Sequence, residues 1–189
     1  MDDLSTYLRN YFSVSDQDLE IIAKLFYKES LAKGEYFCKV NGQCDRLSFV
    51  VKGYLRVSKE SQEKVTTQWI SSPGYFITDL GSLVFGNLSR WDIQAVSDVS
   101  LYTITKKDYN SISKLVRSWP ILEKRFLTAC FMTLEDRVFN LLSLSASQRF
   151  ERLMEVAPGI FNEVPLHYLA SMMGMSPETL SRLRAKSIS

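Results

Sequence analysis

The chain has 189 residues, of which 46% are hydrophobic and 23% charged, with a formal net charge of +2. That composition supplies enough apolar surface for a packed core and excludes a disordered chain. A charge so close to neutral also excludes a polycation, so any affinity for nucleic acid must come from a local cluster.

Acids stand where a secretion signal needs basic residues in the opening MDDLSTYLRNYFSV, and no run approaches the ~18 apolar residues of a membrane span. The expectation is a cytoplasmic protein without a membrane partner. Cys38, Cys44 and Cys130 form no CxxC pair, and the single histidine, His167, lies far from them. No metal site and no cofactor are expected, and the cysteines read as buried, reduced thiols.

In chain order, SDQDLEIIAKLFY signals a first helix. Ser15 is placed to cap it, Asp18 three residues on suggests a capping box, and Leu19, Ile22, Ala23 and Phe26 recur at helical spacing. Between Leu31 and Ile104 the punctuation changes to Gly34, Asn41-Gly42, Lys52-Gly53 and Pro73-Gly74, separating short runs rich in Val, Phe, Tyr and Ile. RLSFVVKGYLRVSKE reads as two strands, KVTTQWI as another and IQAVSDVSLYTI as two more, which is the pattern of an all-β sandwich or barrel.

Beyond Lys106, KKDYNSISKLV predicts a short helix, and a long one follows over WPILEKRFLTACFMTLEDRVFNLLSLSA, with Pro120 tolerable in its first turn. Within it Leu127, Phe131, Leu134, Val138 and Leu141 step by four, three, four and three, a heptad seam. Two readings stay open for it: an amphipathic helix lying on its own sheet, or a helix paired with its copy across a two-fold axis. SQRFERLMEVAP predicts a further helix, stopped by Pro158-Gly159.

The last stretch, EVPLHYLASMMGMSPETLSRLRAK, predicts two short helices joined at Gly174. Leu166, Leu169, Ala170 and Met173 share one face of the first, while Leu180 and Leu183 of the second point back to it. Ser176 suits the N-cap of the second helix, Pro177 its first position and Glu178 its positive end. The remaining face carries Ser176, Glu178, Thr179, Ser181, Arg182 and Lys186. Arginine can donate twice to guanine, a carboxylate can accept from cytosine, and hydroxyls at a helix N-terminus suit phosphate oxygens. A helix–turn–helix that reads DNA is the expectation, with a plain packing pair as its alternative. His167, in the first turn of the first helix, has no second ligand nearby and is expected at the surface.

The order of elements, together with LAKGEYFCKVNGQCDRLSFVVKGYLRV and SPETLSRLRAK, resembles the CRP/FNR superfamily of transcription regulators over nearly the whole chain. The resemblance implies an α+β fold: a β-roll of the cyclic-nucleotide-binding type (a double-stranded jelly roll) with flanking helices over 1–117, a dimerisation helix over 118–145 and a DNA-binding helix–turn–helix over 146–189. It implies base-edge contacts at Glu178 and Arg182 and phosphate contacts at Ser176 and Thr179. The implied partners are double-stranded DNA, a second copy of the chain through the 127–141 seam, RNA polymerase, and a small-molecule effector whose identity stays open.

Nucleotide binders of that family carry a Phe-Gly-Glu-Leu type motif followed by an arginine for the phosphate. Here the matching segment is YFITDLGSL, with Thr78 for the glycine and Asp79 for the glutamate, then Leu80 and Gly81. Ser89 stands at the arginine position judged from the spacing to Ala95, and Arg90 follows one residue later. On a strand a slip of one residue reverses the side chain's face. The expectation is a regulator that does not respond to cyclic AMP; a small-molecule sensing module acting through a protein partner remains a second reading. Apart from scattered acids the sequence offers no nucleophile–base pairing and no phosphate-binding glycine loop, so no enzyme is expected.

Overall fold

The computed structural model describes residues 4–6, 8–9, 14–62 and 64–188. The reading of the chain's opening therefore falls partly outside the described residues.

The first described helix bounded at both ends is α1 (Asp16–Ala23), which Ser15 caps by accepting from the Asp18 N–H at 3.2 Å. The capping box does not close, because the Asp18 carboxylate instead accepts from the Ser118 hydroxyl and ties α1 to the start of the long helix. Tyr27, expected at the end of this helix, opens a strand.

Among the described residues eight strands follow: β1 (Tyr27–Leu31), β2 (Tyr36–Cys38), β3 (Arg46–Lys52), β4 (Leu55–Ser61), β5 (Lys64–Ser71), β6 (Phe76–Ile77), β7 (Asp92–Ala95) and β8 (Val99–Thr105). They form two antiparallel four-stranded sheets, ordered β1-β8-β3-β6 and β2-β7-β4-β5. A short helix, α2 (Leu80–Phe85), interrupts the strands between β6 and β7.

β3 does not show the in–out alternation of a half-exposed strand, because both its faces are covered. On one face Val50 joins Leu55, Ile93, Val99 and Leu101 between the sheets. On the other, Leu47 and Phe49 pack with Ile22, Ile112, Trp119 and Phe126 beneath the helices. The turn between β3 and β4 depends on Gly53, at φ +83, where a Cβ would stand 2.2 Å from the Asp98 carbonyl oxygen. Only glycine fits such an approach.

α3 (Lys106–Leu115), capped by Thr105, leads into α4 (Trp119–Ser143), the long helix, with Pro120 in its first turn. Trp119, Leu122 and Phe126 bury the first two turns of α4 against the roll. Farther along, Phe131, Leu134, Val138 and Leu141 are exposed, while Leu127 is half-buried against the chain's own core.

α5 (Ala146–Val156) opens with a complete capping box between Ser145 and Gln148. α6 (Ile160–Glu163), a single turn not foreseen from the sequence, precedes α7 (Leu166–Met172) and α8 (Pro177–Ile188). A third core unites these helices through Phe150, Phe161, Leu169, Ala170 and Leu180, and reaches Ile70 and Val96 of the roll. Among the described residues no helix is long and apolar enough to cross a membrane.

Candidate functional site

The C-terminal helix pair is built around Gly174, which takes φ +64 after α7. Leu169, Ala170 and Leu180 are fully buried where the helices cross, and the small Ala170 permits that approach. Ser176 accepts from the Thr179 N–H at 3.2 Å, and its oxygen lies 3.2 Å from the Thr179 hydroxyl. It thereby satisfies one of the amides left free at the start of α8.

With one face of α8 committed to the core, Ser176, Glu178, Ser181, Arg182 and Lys186 are exposed and Thr179 is half-buried beside them. Arg182 reaches back to the Thr179 hydroxyl at only 3.5 Å, so its guanidinium keeps most of its donors free. Glu178 is held below the usual carboxylate range by its own backbone N–H and by Ser176. It is therefore an ionised acceptor, as a contact to a base amino group requires. The face combines two cations with one carboxylate in about 15 Å of helix, estimated at 1.5 Å per residue. His167 is exposed, with its ring 4.2 Å from that of Tyr168.

The second set of residues predicted from sequence meets at the start of α2. Asp79, 2% exposed, is the N-cap of that helix. Its Oδ1 accepts from the N–H groups of Gly81 (2.9 Å) and Ser82 (3.2 Å), and its Oδ2 from the Ser89 hydroxyl (3.1 Å) and the Arg90 N–H (2.8 Å). The carboxylate thus takes up the donors at this helix end that would face a phosphate.

Thr78 turns away and donates to the Arg46 carbonyl. Leu80 and Arg90 are exposed, and the Arg90 guanidinium stands 5.8 Å from the Trp91 ring. Ser89 and Asp79 are therefore brought together inside the roll, while the charge of Arg90 is left at its rim. Arg90 thus lines the hollow at Asp79 from an exposed position, beside a buried carboxylate whose two oxygens already accept four hydrogen bonds.

Beneath Asp79 lie Cys38 and Cys44, both buried and unbridged. Cys44 accepts from the Asp79 N–H at 3.4 Å, and Cys38 sits 3.5 Å from the Ser89 hydroxyl. The sequence marked these cysteines as buried thiols but carried no signal that they buttress the cassette.

Sequence reasoning also missed the residues that join the roll to the helix–turn–helix. Arg56, 7% exposed, lays its guanidinium 3.8 Å from the Tyr168 ring centre and donates from Nε to Thr67. The Thr67 N–H donates to the Ser171 hydroxyl of α7 at 2.9 Å. Residues 56 and 168 are too far apart in sequence for any local pattern to pair them.

Comparison with known proteins places this geometry. The cyclic nucleotide-binding domain family matches residues 28–114, and no curated protein matches the chain. Among solved structures, FixK2 from Bradyrhizobium japonicum is similar at a TM-score of 0.70 and 16% identity, over 85% of this chain and 83% of that one. The c-di-GMP responsive global regulator CLP of Xanthomonas campestris aligns at a TM-score of 0.65 and 14% identity, over 92% and 91%. The catabolite activator protein of Thermus thermophilus aligns at 0.59 and 18%, over 95% and 85%. Residues 28–114 thus match the cyclic nucleotide-binding domain family, and the chain shares its fold with these solved structures.

Proposed function

We propose that the chain is a transcription regulator that binds double-stranded DNA as a homodimer, reading a palindromic operator through α8 without a requirement for cyclic AMP. The observation that carries this reading is the division of α8 into a buried apolar face and an exposed face of Glu178, Ser181, Arg182 and Lys186. A helix kept only for packing has no need of that second face. The exposed seam of α4 supports the dimer, since Phe131, Leu134, Val138 and Leu141 form one apolar stripe that the chain itself leaves uncovered. Two reading helices would then enter major grooves about 34 Å apart.

Independence from cyclic AMP rests on the four hydrogen bonds that Asp79 accepts at the cassette. In this reading the roll spans 1–117, the dimer helix 118–145 and the DNA-binding unit 146–189.

The test is selection of genomic fragments by purified protein without added nucleotide, followed by anisotropy titration of the enriched site and a scrambled copy. The expected outcome is a two-fold-symmetric motif, bound with a steep salt dependence. Arg182→Ala is expected to lose about 1–3 kcal/mol of discrimination between the two sequences. Wild-type protein indifferent to sequence, together with an unchanged variant, rejects the reading.

A further inference from the structure

Cys38 ends β2 and Cys44 stands just before β3, and the loop between them folds back so that the two thiols share a hydrogen bond. That loop is pinned along its length. Asn41 takes the left-handed region at φ +63, and the Gly42 N–H closes a turn on the Lys39 carbonyl at 2.9 Å. The Asn41 N–H donates to the Ser89 carbonyl, the Ser89 N–H returns to the Gly42 carbonyl, and the Val40 N–H donates to the Asp92 carboxylate. The thiols are therefore held in contact by the backbone around them.

Their surroundings differ. Cys44 accepts from the Asp79 N–H at 3.4 Å and lies 3.6 Å from the Thr78 hydroxyl. Cys38 lies 3.5 Å from the Ser89 hydroxyl and 3.9 Å from the Trp91 carbonyl. The bond from the Cys38 thiol pulls the Cys44 thiol down against its burial, with help from the Asp79 N–H, while the same bond and burial push Cys38 up. A cysteine buried for packing alone is inert, whereas donors converging on one sulfur favour its thiolate.

Both thiols are buried, at 6% and 2% exposure, but a hollow of about 250 Å³ reaches the layer above them. Its wall includes Thr78 and Asp79, which touch Cys44, and Trp91, which touches Cys38. An oxidant as small as a hydroperoxide has one layer of side chain to pass.

We propose that Cys38 and Cys44 are a redox modification site at which a hydroperoxide converts the two thiols into an intramolecular disulfide, with Cys44 attacking and Cys38 resolving. The Cys44 thiolate attacks one peroxide oxygen and the O–O bond breaks. The hydroxide that leaves takes up the proton released by Cys44, giving water and a sulfenic acid. The Cys38 sulfur then attacks the Cys44 sulfur, the S–O bond breaks, and the hydroxyl leaves with the Cys38 proton as a second water. Two thiols are oxidised and one peroxide is reduced. The bond would clamp the 39–43 loop beside the Asp79 cassette. It depends neither on the dimer nor on α8 reading DNA.

The test uses the reduced full chain, treated with one equivalent of hydrogen peroxide, blocked with N-ethylmaleimide and digested with trypsin without reductant. Cleavage after Lys39 separates the cysteines, so the expected product in mass spectrometry is a pair of peptides joined through Cys38 and Cys44. Dithiothreitol should reverse it. Cys130 of α4, whose thiol burial pushes up, should remain free for alkylation. Cys38→Ser should leave a sulfenic acid on Cys44 that dimedone traps, and Cys44→Ser should lose the reaction with peroxide. Circular dichroism reports whether each variant is folded, and the parent chain's crosslink is read without any substitution. Absence of the crosslink in the folded parent, its formation only in urea, or bonds through Cys130 in its place overturns the proposal. Undiminished peroxide consumption by Cys44→Ser overturns the assignment of the attacking sulfur.

Discussion

Asp79 illustrates how one methylene changes the chemistry of a site. An aspartate at an N-cap reaches the amides of its own helix, and here it also collects Ser89 and the Arg90 N–H from the next loop. The carboxylate that the sequence placed at a ligand joins α2 to the loop before β7. Asp79→Ala leaves three backbone N–H groups without that acceptor, two of them the amides that open α2, while the Ser89 hydroxyl keeps the Trp91 carbonyl. It is expected to cost roughly 2 kcal/mol or more, since each unsatisfied buried group costs about 1–3 kcal/mol. Urea denaturation should show a lower midpoint at unchanged slope. A variant as stable as the parent would mean that water replaces the carboxylate and that the cassette is open.

At the scale of elements, α4 plays two parts along its length. Its first turns are anchored on the roll by Trp119, Leu122 and Phe126, and its later turns present the seam. Of the heptad, Leu127 packs inward on the chain's own core, and the later positions stay exposed. For the proposed homodimer, Val138→Glu is expected to give a monomer in sedimentation equilibrium with the helical circular dichroism retained, because a charge would then face the apolar stripe of the partner.

The two turn glycines separate conformational strain from steric conflict. At Gly174 a Cβ would meet only Leu141, at 3.5 Å, so Gly174→Ala should cost about 1 kcal/mol for its positive φ alone. Gly53→Ala, which drives a Cβ into the Asp98 carbonyl, should cost at least several times more and lower the thermal midpoint of the roll. Equal effects of the two substitutions would refute this distinction.

For the whole molecule, the main issue is how the helix–turn–helix sits on the roll. α7 packs along β5, with Tyr168 beneath the Arg56 guanidinium and Ser171 bonded to the Thr67 amide. A cation–π contact of this kind contributes about 2 kcal/mol when desolvated, and the Tyr168 ring adds its own burial. Tyr168→Ala is expected to raise amide exchange through residues 160–188 while leaving β3 and β8 protected. Uniform loss of protection would instead mean that the roll and the C-terminal helices unfold as one unit.

The fold class was legible in the sequence because its signals are local. Gly53 and Gly174 mark turns that need positive φ, Ser15 and Ser176 cap the helices they precede, and the step pattern of Leu127 to Leu141 describes a stripe on one helix. Short elements were not legible: α2, α6 and β6 have too few residues for a period to register. The polar face of α8 could be read from spacing alone, since a helix fixes which residues share a side. What the tertiary structure decided was where unlike elements meet. Asp79 caps α2 and also gathers Ser89 and the Arg90 N–H, which fold back onto it, and Arg56 is tolerated in the interior because Tyr168 covers it. Arg137 of α4 and Arg149 and Arg152 of α5 line one hollow because the two helices turn toward each other at Ser145. Such pairings depend on chain closure over tens of residues, and that information lies in packing rather than in any local run of sequence.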